Sequence, residues 1–528
     1  MKKFISRANK RVSFGSAATL LVVVALGGQL LGFLRNRLIS ANFTVFDPGA
    51  SDAFFAAFQI PDFFFYTIAA GALGVAFMPV LSDRLQLGDR KSIWELSSSL
   101  LNLLAIVMAV VGLLIFVFAR PLMGLLAPNL PTENFEQAVT IMRLIAMNPL
   151  LFTLSGILTS VQQLFGRFFF YAIAPLTYNM SIIVSIYIFQ DTLGIIGLGV
   201  GALAGAIIQL FIASMGLIGI GFRYSPIIRI NNSFRQILRN LPPRSLDQGV
   251  HQVNSIVEVN RAQALGTGPV SYYNFALTLM NVPVMLLGNS IATAAFPRLA
   301  ERVSQNRPDL FRKDFIKILR LMIWLTLPVV VVSYFGRGYL ARLIFGDVSP
   351  EVALIFGYLT VAIFFRVVYS LISRYFYAHK DTRTPLYVSV ISITINVVLA
   401  FTLARPQAYG VAGLAMAQSI TAMFQVSVLS TIMFRRDRKI FNAQFWGTIV
   451  QIVSVTGFAI LTAYIMTNLL PLEVTDRGII TLGAKFSAIA GATLLVHLLM
   501  SSLFGLAEAK ATLRKAKQII FYGQVKLN

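Results

Sequence analysis

Several charged side chains lie inside long apolar stretches of this sequence. Lipid or an apolar core would offer them no hydrogen-bonding or ionic partner. Each Arg or Lys that faces the middle of a lipid bilayer costs about 2.5–3.5 kcal/mol. Most of these residues are therefore expected to face a shared polar interior or to reach a membrane interface. Inward-facing guanidinium groups bind phosphate oxygens in bidentate fashion, so the pattern predicts recognition of an anionic group. The six basic residues are Arg35, Arg37, Arg143, Arg261, Arg366 and Lys485.

A polar stripe marks the segment HQVNSIVEVNRAQALG, which begins at His251. His251, Asn254 or Ser255, Glu258 and Arg261 follow one another at spacings of three and four residues and so share one face of a helix. Such a helix is expected to line a cavity rather than to face lipid. Two interpretations stay open: Glu258 and Arg261 pair with each other and are structural, or at least one of them contacts a substrate.

The apolar stretches that must position these residues recur along the whole chain. The sequence has 528 residues, of which 57% are hydrophobic and only 12% charged. A soluble domain carries roughly twice that share of charge, and runs of about 20 apolar residues cross the hydrocarbon core as helices. We predict an all-α, polytopic membrane protein with about 14 transmembrane helices, called spans 1–14. The predicted ranges are 16–40, 51–83, 92–119, 136–163, 168–190, 194–222, 246–267, 270–297, 315–336, 351–376, 385–404, 409–434, 443–469 and 477–505.

The net charge of +23 is explained by the orientation of the chain in the membrane and does not indicate a nucleic-acid partner. Most lysines and arginines fall at the two ends of the chain and in every second loop, whereas the connections FDPGASD, QDTLG and LGTGPVS contain none. This asymmetry follows the positive-inside rule. We predict a multi-pass protein of the bacterial cytoplasmic (plasma) membrane with both termini in the cytoplasm. The basic and apolar N-terminus resembles a signal peptide, but Arg35 and Arg37 follow it without a convincing cleavage site, so we interpret it as an uncleaved first span.

Two pairs of similar strings occur in the same order in the two halves of the chain. GVGALAGA begins at Gly199 and GVAGLAMA at Gly410, while FMPVLSDR ends at Arg84 and AFPRLAER at Arg302. Parallel repeats are typical of transporters that carry a substrate between two lobes. We predict three regions: 1–240 as an N-lobe with spans 1–6, 241–440 as a C-lobe with spans 7–12, and 441–528 with spans 13 and 14 and a basic cytoplasmic tail.

Enzymatic motifs are absent from the sequence. It contains no Walker-type phosphate loop, no H-E-x-x-H and no dinucleotide fingerprint, and its three histidines are scattered. We predict a transporter without an ATPase motif rather than an enzyme, with no cofactor. Transport would then be driven by an ion gradient or by the membrane potential.

Several strings resemble the MurJ (MviN) family of the MOP exporter superfamily over the full length of the chain. They are LLGFLRNRLIS (30–40), SDAFFAAFQIPDFFF (51–65), GALGVAFMPVLSDR (71–84) and HQVNSIVEVNRAQALGTGPVSYYNFALTLMNVP (251–283).

The resemblance implies transport of lipid II, the undecaprenyl-diphosphate-linked peptidoglycan precursor, from the inner to the outer leaflet by alternating access. It implies a cationic cavity near spans 1, 2, 7 and 8 and, for some members, coupling to sodium, for which Glu258 and Asn396 are candidates. Arg35 matches a cavity arginine of the family and Asp52 an aspartate that opens the second span. We expect Arg35 to be the principal phosphate contact, Arg261 a secondary one and Asp52 a gate or pairing residue. The candidate substrate contacts are Arg35, Arg261, Asp52, Glu258, Gln29, Asn274 and Thr278.

The chain departs from the family pattern at several head-group positions. Family arginines fall on Gln29, Phe65, Tyr66 and Thr278, and an acidic position falls on Ala70. Lipid II or a related polyprenyl-diphosphate lipid, membrane lipids and cell-wall synthesis proteins are the expected partners. Three alternatives stay open: a flippase for another polyprenyl-linked glycan, a MATE-like exporter, and a non-transporting scaffold of the cell-wall machinery.

Overall fold

The chain is helical throughout the part that the computed structural model describes, which is residues 14–70, 77–346 and 349–510. No β-strand occurs in these ranges. The basic N-terminal segment, residues 71–76 of predicted span 2 and the basic tail after residue 510 lie outside the described residues. The α-helices, labelled α1 to α18 in chain order, are Phe14–Ile39, Pro48–Phe64, Met78–Gln86, Arg90–Leu126, Thr132–Ile145, Asn148–Leu164, Phe169–Phe189, Ile196–Met215, Asn232–Gln263, Pro269–Pro283, Ser290–Ser304, Pro308–Phe335, Arg337–Phe345, Ser349–Ala378, Arg383–Leu403, Ala412–Arg436, Ala443–Leu469 and Ile479–Leu503.

Eleven helical stretches of the described residues are long and apolar enough to cross a membrane. Two of them, Thr132–Leu164 and Pro269–Ser304, each combine two α-helices across an interruption. The three predicted spans that these eleven do not cover, spans 1, 2 and 7, overlap α1, α2 and α9. Each predicted span therefore overlaps a helix, and the predicted all-α polytopic fold is confirmed.

Wide helical turns interrupt the regular helices near prolines. A proline removes one backbone hydrogen bond and its ring crowds the preceding turn, which favours a local change of pitch. Pro61 lies one turn before the π-helical segment Phe65–Ala70, and Pro283 directly precedes the segment Val284–Asn289. A third such segment, Ser40–Thr44, ends α1 without a proline.

The chain divides into two compact units, Met1–Ser271 and Tyr272–Asn528. Predicted span 7, which we assigned to the C-lobe, overlaps α9, and α9 lies within the first unit. It packs against α2, α4 and the segment Phe65–Ala70. At its C-terminal end Asn260 Nδ2 donates to the carbonyl oxygens of Leu125 and Leu126 at 3.0 and 3.2 Å, which joins α9 to the end of α4.

α7 and α8 approach each other closely in the first unit. A Cβ atom at Gly201 of α8 would lie 2.1 Å from Ser185 Oγ of α7, and Ser181 Oγ donates to the Gly201 carbonyl at 2.8 Å. Small residues permit such backbone contact between membrane helices. The contact helps to fix the position of α7, which also packs against α1 and α6.

Each unit has its own buried tryptophan. Trp94 of α4 stacks on Phe165 in the apolar core of the first unit, with ring centroids 5.4 Å apart. In the second unit Trp324 Nε1 of α12 donates to Ser501 Oγ of α18 at 2.8 Å. An indole N–H inside an apolar core needs such an acceptor.

Candidate substrate site

Arg35 lies half-buried near the end of α1, on the side that packs against α7. Its Nη1 donates to Asn179 Oδ1 of α7 at 3.0 Å, and its Nε and Nη2 donate to Asn36 Oδ1 at 3.1 and 3.0 Å. Both acceptors are neutral amides. These hydrogen bonds therefore hold the guanidinium in place without neutralising its charge.

Asp62 of α2 and Tyr178 of α7 are the titratable groups that interact electrostatically with Arg35. No direct salt bridge joins Asp62 to Arg35 among the described residues. An uncovered positive charge beside one acidic group and one phenol can accept a phosphate oxygen, because guanidinium and phosphate form strong charge-assisted hydrogen bonds.

Aromatic rings form one wall beside Arg35. Phe152 of α6 contacts Phe65 edge to face at 5.6 Å between centroids and Tyr178 at 5.1 Å. Tyr66, the next residue after Phe65, is exposed. The two positions where the family carries arginines are therefore held here by one ring packed into an aromatic cluster and one exposed phenol.

Asp52 of α2 is fully buried and bonds to the N-terminal end of α10 rather than to Arg35. Its Oδ1 accepts hydrogen bonds from the Ser271 amide and hydroxyl at 2.8 and 2.7 Å, and its Oδ2 accepts one from the Gly268 amide at 2.6 Å. Gly268 has a positive φ of 105° that favours glycine. Asp52 thus satisfies the free amides at the start of α10, the task of an N-cap residue, from a different helix.

Glu258 of α9 is buried and accepts a hydrogen bond from Asn254 Nδ2 at 2.8 Å. The predicted polar stripe of α9 does not share one environment, since Asn254 is buried, Arg261 is half-buried and His251 is exposed. α9 approaches the segment Phe65–Ala70 so closely that a Cβ at Gly249 would lie 3.2 Å from Thr67 Cγ2.

The remaining candidate residues are divided between the two units. In the first unit Gln29 is half-buried in α1. In the second unit Asn274 and Thr278 are half-buried on α10, where Thr278 Oγ1 donates to the Asn274 carbonyl at 2.8 Å. Asn396, the second candidate sodium ligand, is buried in α15 of the second unit, whereas Glu258 is in the first. The described residues contain no cluster of three or more His, Cys, Asp or Glu side chains that could hold a metal ion.

Other basic residues of the predicted spans are accommodated in different ways. Arg366 of α14 donates to Gln418 of α16. Lys485 of α18 pairs with Asp476 at 2.7 Å, in the loop before that helix. Arg143 at the end of α5 is exposed, with its guanidinium 6.0 Å from the centroid of the Phe116 ring.

Sequence reasoning did not identify the groups around Arg35. Asp62 was visible as an acid in an aromatic run, and Asn179 as an amide in span 5, but nothing in the sequence joins either to Arg35. Asn179 is 144 residues away along the chain. Asp62 and Asn179 could have been identified by the same criterion as Arg35, because each is a polar side chain inside an apolar span.

Comparison with known proteins decides the family. A family model described as "Lipid II flippase MurJ" matches residues 44–475, well over half of the chain. The chain belongs to the MurJ lipid II flippase family. Membership makes it a transporter-family protein with many membrane-spanning helices, and the family predicted from the sequence is confirmed.

Individual members of the MurJ family resemble the chain over most of its length. A probable lipid II flippase MurJ of Thermotoga maritima is 25% identical over 502 residues, which cover 92% of this chain and 96% of the relative. One of Borreliella burgdorferi is 24% identical over 434 residues, covering 80% and 84%.

Solved structures of the superfamily share the fold. A lipid II flippase MurJ in an inward closed conformation superposes with a TM-score of 0.77 at 22% identity, covering 92% of this chain and 98% of that one. An inward-facing MATE family multidrug transporter of the MOP superfamily gives a TM-score of 0.65 at 14% identity, covering 80% and 98%.

Proposed function

We propose that this chain is a lipid II flippase, which moves the undecaprenyl-diphosphate-linked head group from the inner to the outer leaflet of the bacterial cytoplasmic membrane by alternating access. The proposal is supported by the match to the MurJ family over residues 44–475 and by relatives that are themselves named probable lipid II flippases. No ATPase motif occurs in the sequence, so we propose transport without ATP hydrolysis by this chain.

The observation that carries the proposal is the state of the Arg35 guanidinium. It is half-buried in the first unit, oriented by the neutral amides of Asn36 and Asn179, and has Asp62 and Tyr178 as electrostatic neighbours. A diphosphate oxygen can replace an amide oxygen as the hydrogen-bond acceptor of Arg35. Because the diphosphate is negatively charged, this hydrogen bond also gains the electrostatic attraction of the guanidinium. We assign Arg35 the principal phosphate contact.

The other candidate residues receive secondary roles. Arg261 is a second cation for the diphosphate, and Gln29 and Glu258 of the same unit offer hydrogen-bonding groups to the head group. Asp52 supports the site by capping α10, because its carboxylate oxygens are already bonded to Gly268 and Ser271.

Complementation tests the function. The chain is expressed in bacteria depleted of their own lipid II flippase, and lipid II in the outer leaflet is quantified. We expect the wild-type chain to restore it and Arg35→Ala to lose it, since removing a charge-assisted contact of about 1.5–3 kcal/mol weakens binding roughly 10- to 100-fold. Arg35→Lys should retain part of the activity, because a lysine keeps the charge but not the planar fork.

Arg143→Ala is the matched control, since Arg143 is also a span arginine but is exposed and lies against Phe116. It should transport like wild type at equal expression. Restoration that survives in Arg35→Ala would remove Arg35 from the site. Failure of the wild-type chain to restore lipid II, despite correct insertion, would count against lipid II as its substrate.

A non-transporting role as a scaffold of the cell-wall machinery is the second candidate function. The observation that favours it is the aromatic cluster of Phe65, Phe152 and Tyr178. In this cluster Phe65 stands at a position where the family has an arginine. If the chain has this function, it should restore growth or cell-wall assembly to the depleted bacteria only when another flippase is also present. The Arg35→Ala variant should then behave like wild type.

We propose that transport is driven by the membrane potential, with both termini in the cytoplasm. A diphosphate with about two negative charges gains roughly 4–5 kcal/mol per 100 mV when it moves outward from a negative interior. Coupling to a sodium gradient is the alternative drive. Dissipating the potential at constant sodium should stop transport in the first case, and replacing sodium at constant potential should stop it in the second.

A further inference from the structure

A cavity of about 790 Å³ opens in the second unit beside the first turns of α12 and α17. None of the residues assigned to the substrate site lines it. Its walls are α12, Arg298 of α11, the loop from Lys439 to Asn442, the start of α17 and the segment around Glu508.

Three arginines of the wall are each paired with a carboxylate of the same wall. They form a fixed frame, because each pair is joined at 2.7–2.9 Å. The pairs are Arg298 with Asp314, Arg312 with Asp309, and Arg320 with Glu508.

Three lysines of the wall carry charges that no acid of the wall offsets. Lys313 and Lys317 are exposed and lie one turn apart on one face of α12, and Lys439 is exposed on the loop before α17. Arg312 also pairs with Asp437 at 2.6 Å, which fastens that loop to α12 and keeps Lys439 beside the other two. The positive end of the α17 dipole lies at the same place, since α17 begins at Ala443.

The cavity lies at the level of a membrane interface. α12 and α17 are both candidate membrane spans, and the cavity is at the first turns of both. Trp446, in the first turn of α17, is 57% exposed, and tryptophan is enriched where hydrocarbon meets water.

An apolar groove of about 470 Å³ adjoins the cavity and shares Phe445 with it. Ile323 of α12, Phe434 of α16, and Trp446 and Ile449 of α17 line it. A basic compartment at the interface therefore continues into an apolar compartment at the depth of the acyl chains.

We infer that the cavity and the groove together bind an anionic glycerophospholipid, with its phosphate on Lys313, Lys317 and Lys439 and an acyl chain in the groove. Basic pockets between membrane helices select anionic head groups. A zwitterionic lipid would leave three positive charges uncompensated, and a free phosphate ion would leave the groove unused. The inference does not depend on the proposed function, since it uses only the lining of these two compartments and the membrane setting.

Native mass spectrometry of the full-length protein with phosphatidylglycerol, and with phosphatidylcholine as the neutral probe, tests the site. The variant is Lys313→Gln with Lys317→Gln and Lys439→Gln, all exposed positions whose replacement leaves the core unchanged. Each lysine near an anionic lipid contributes about fivefold, so phosphatidylglycerol should bind roughly a hundredfold more weakly to the triple variant. Binding of phosphatidylcholine should not change.

A second triple variant removes the same charge elsewhere: Lys380→Gln with Arg383→Gln and Arg435→Gln, exposed positions that do not line the cavity. It should bind phosphatidylglycerol like wild type. Equal loss in both variants would reduce the effect to general attraction and overturn the site. Competition by glycerol 3-phosphate as strong as that of the lipid would make it a soluble-anion site. Displacement by undecaprenyl diphosphate at equal concentration would assign it to the substrate lipid, and either result overturns the inference.

Discussion

At the scale of single residues, Asp52 shows how a buried carboxylate can serve the backbone. It accepts three hydrogen bonds, from Gly268 directly before α10 and from Ser271 in the first turn of that helix. Asp52→Asn replaces one acceptor oxygen with an amide that faces backbone donors, which leaves at least one buried N–H without an acceptor. We expect the free energy of unfolding to fall by about 2–3 kcal/mol, measured by thermal unfolding in detergent.

Asp83→Asn is the control for this prediction, because Asp83 is exposed on α3. Its effect should remain within about 0.5 kcal/mol. An Asp52→Asn protein as stable as wild type would show that the N-terminal end of α10 does not need the carboxylate.

Asp381 makes stability depend on pH in the turn between α14 and α15. Partial burial raises the pKa of its carboxyl, but hydrogen bonds from Thr384 and Arg436 outweigh this and hold the pKa at about 2. The pKa in the folded state lies below the unfolded value of about 3.9, so the ionised carboxylate stabilises the fold above that pH. This contribution is lost as the pH falls through about 2.

The stability difference between wild type and Asp381→Asn should therefore be largest above pH 5, at about 1 kcal/mol, and shrink toward pH 2. Thermal unfolding in detergent over this pH range measures it. A difference that stays constant with pH would mean that the ionised carboxylate is not the stabilising form.

The sequence predicted Arg35 as an inward-facing cation, but its surroundings could not be predicted. An Arg inside an apolar span needs polar partners on energetic grounds alone, so the residue type and position were sufficient. Which amides orient it depends on the packing of α1 on α7, and Asn179 is one of several polar residues in the spans. Asp52 was predicted as a gate or pairing residue from the resemblance, and its bonds to the N-terminal end of α10 were not visible in the sequence.

At the scale of elements, the close contact of α7 and α8 positions the helix that holds Arg35. Gly201→Ala would place a methyl group 2.1 Å from Ser185 Oγ and 3.1 Å from the Ser181 carbonyl. Overpacking of this kind costs about 1–3 kcal/mol. We expect a lower unfolding temperature and, because α7 carries Asn179, weaker transport.

Gly457→Ala is the matched control, a helical glycine of α17 whose added Cβ would meet nothing within 4 Å. It should be neutral or stabilising by about 0.4–1 kcal/mol. If the two alanine variants unfold at the same temperature, the α7–α8 contact is not tight.

The positions of the helices could be predicted from the sequence more completely than their division between the two compact units. Apolar runs of span length predict most of the long helices, because backbone groups in lipid must bond internally. The grouping of α9 with the first unit could not be predicted, since it depends on contacts such as Asn260 with Leu125 and on the close approach of Gly249 to Thr67. Composition and repeat spacing do not carry that information, and the predicted lobe boundary at residue 240 stays a prediction.

At the scale of the whole molecule, the distribution of basic residues predicts orientation. The sequence contains no cysteine, so single cysteines can be introduced without any background. Gln305→Cys lies in a basic loop and Thr192→Cys in a loop without lysine or arginine, and both positions are exposed. A membrane-impermeant thiol reagent should label Thr192→Cys in intact spheroplasts and Gln305→Cys only after permeabilisation. The reverse pattern would invert the proposed topology and place both termini outside.

The three tryptophans of the chain differ in a way that makes one of them an optical reporter. Trp94 and Trp324 are buried in the cores of their units, whereas Trp446 is exposed beside the apolar groove. Phospholipids with brominated acyl chains quench indole fluorescence only on contact. Quenching of the intrinsic fluorescence should therefore come mainly from Trp446. The fluorescence of a Trp446→Phe protein should hardly change when the same lipids are added. Occupancy of the groove can then be followed in time, without any added label, while the protein works in a bilayer.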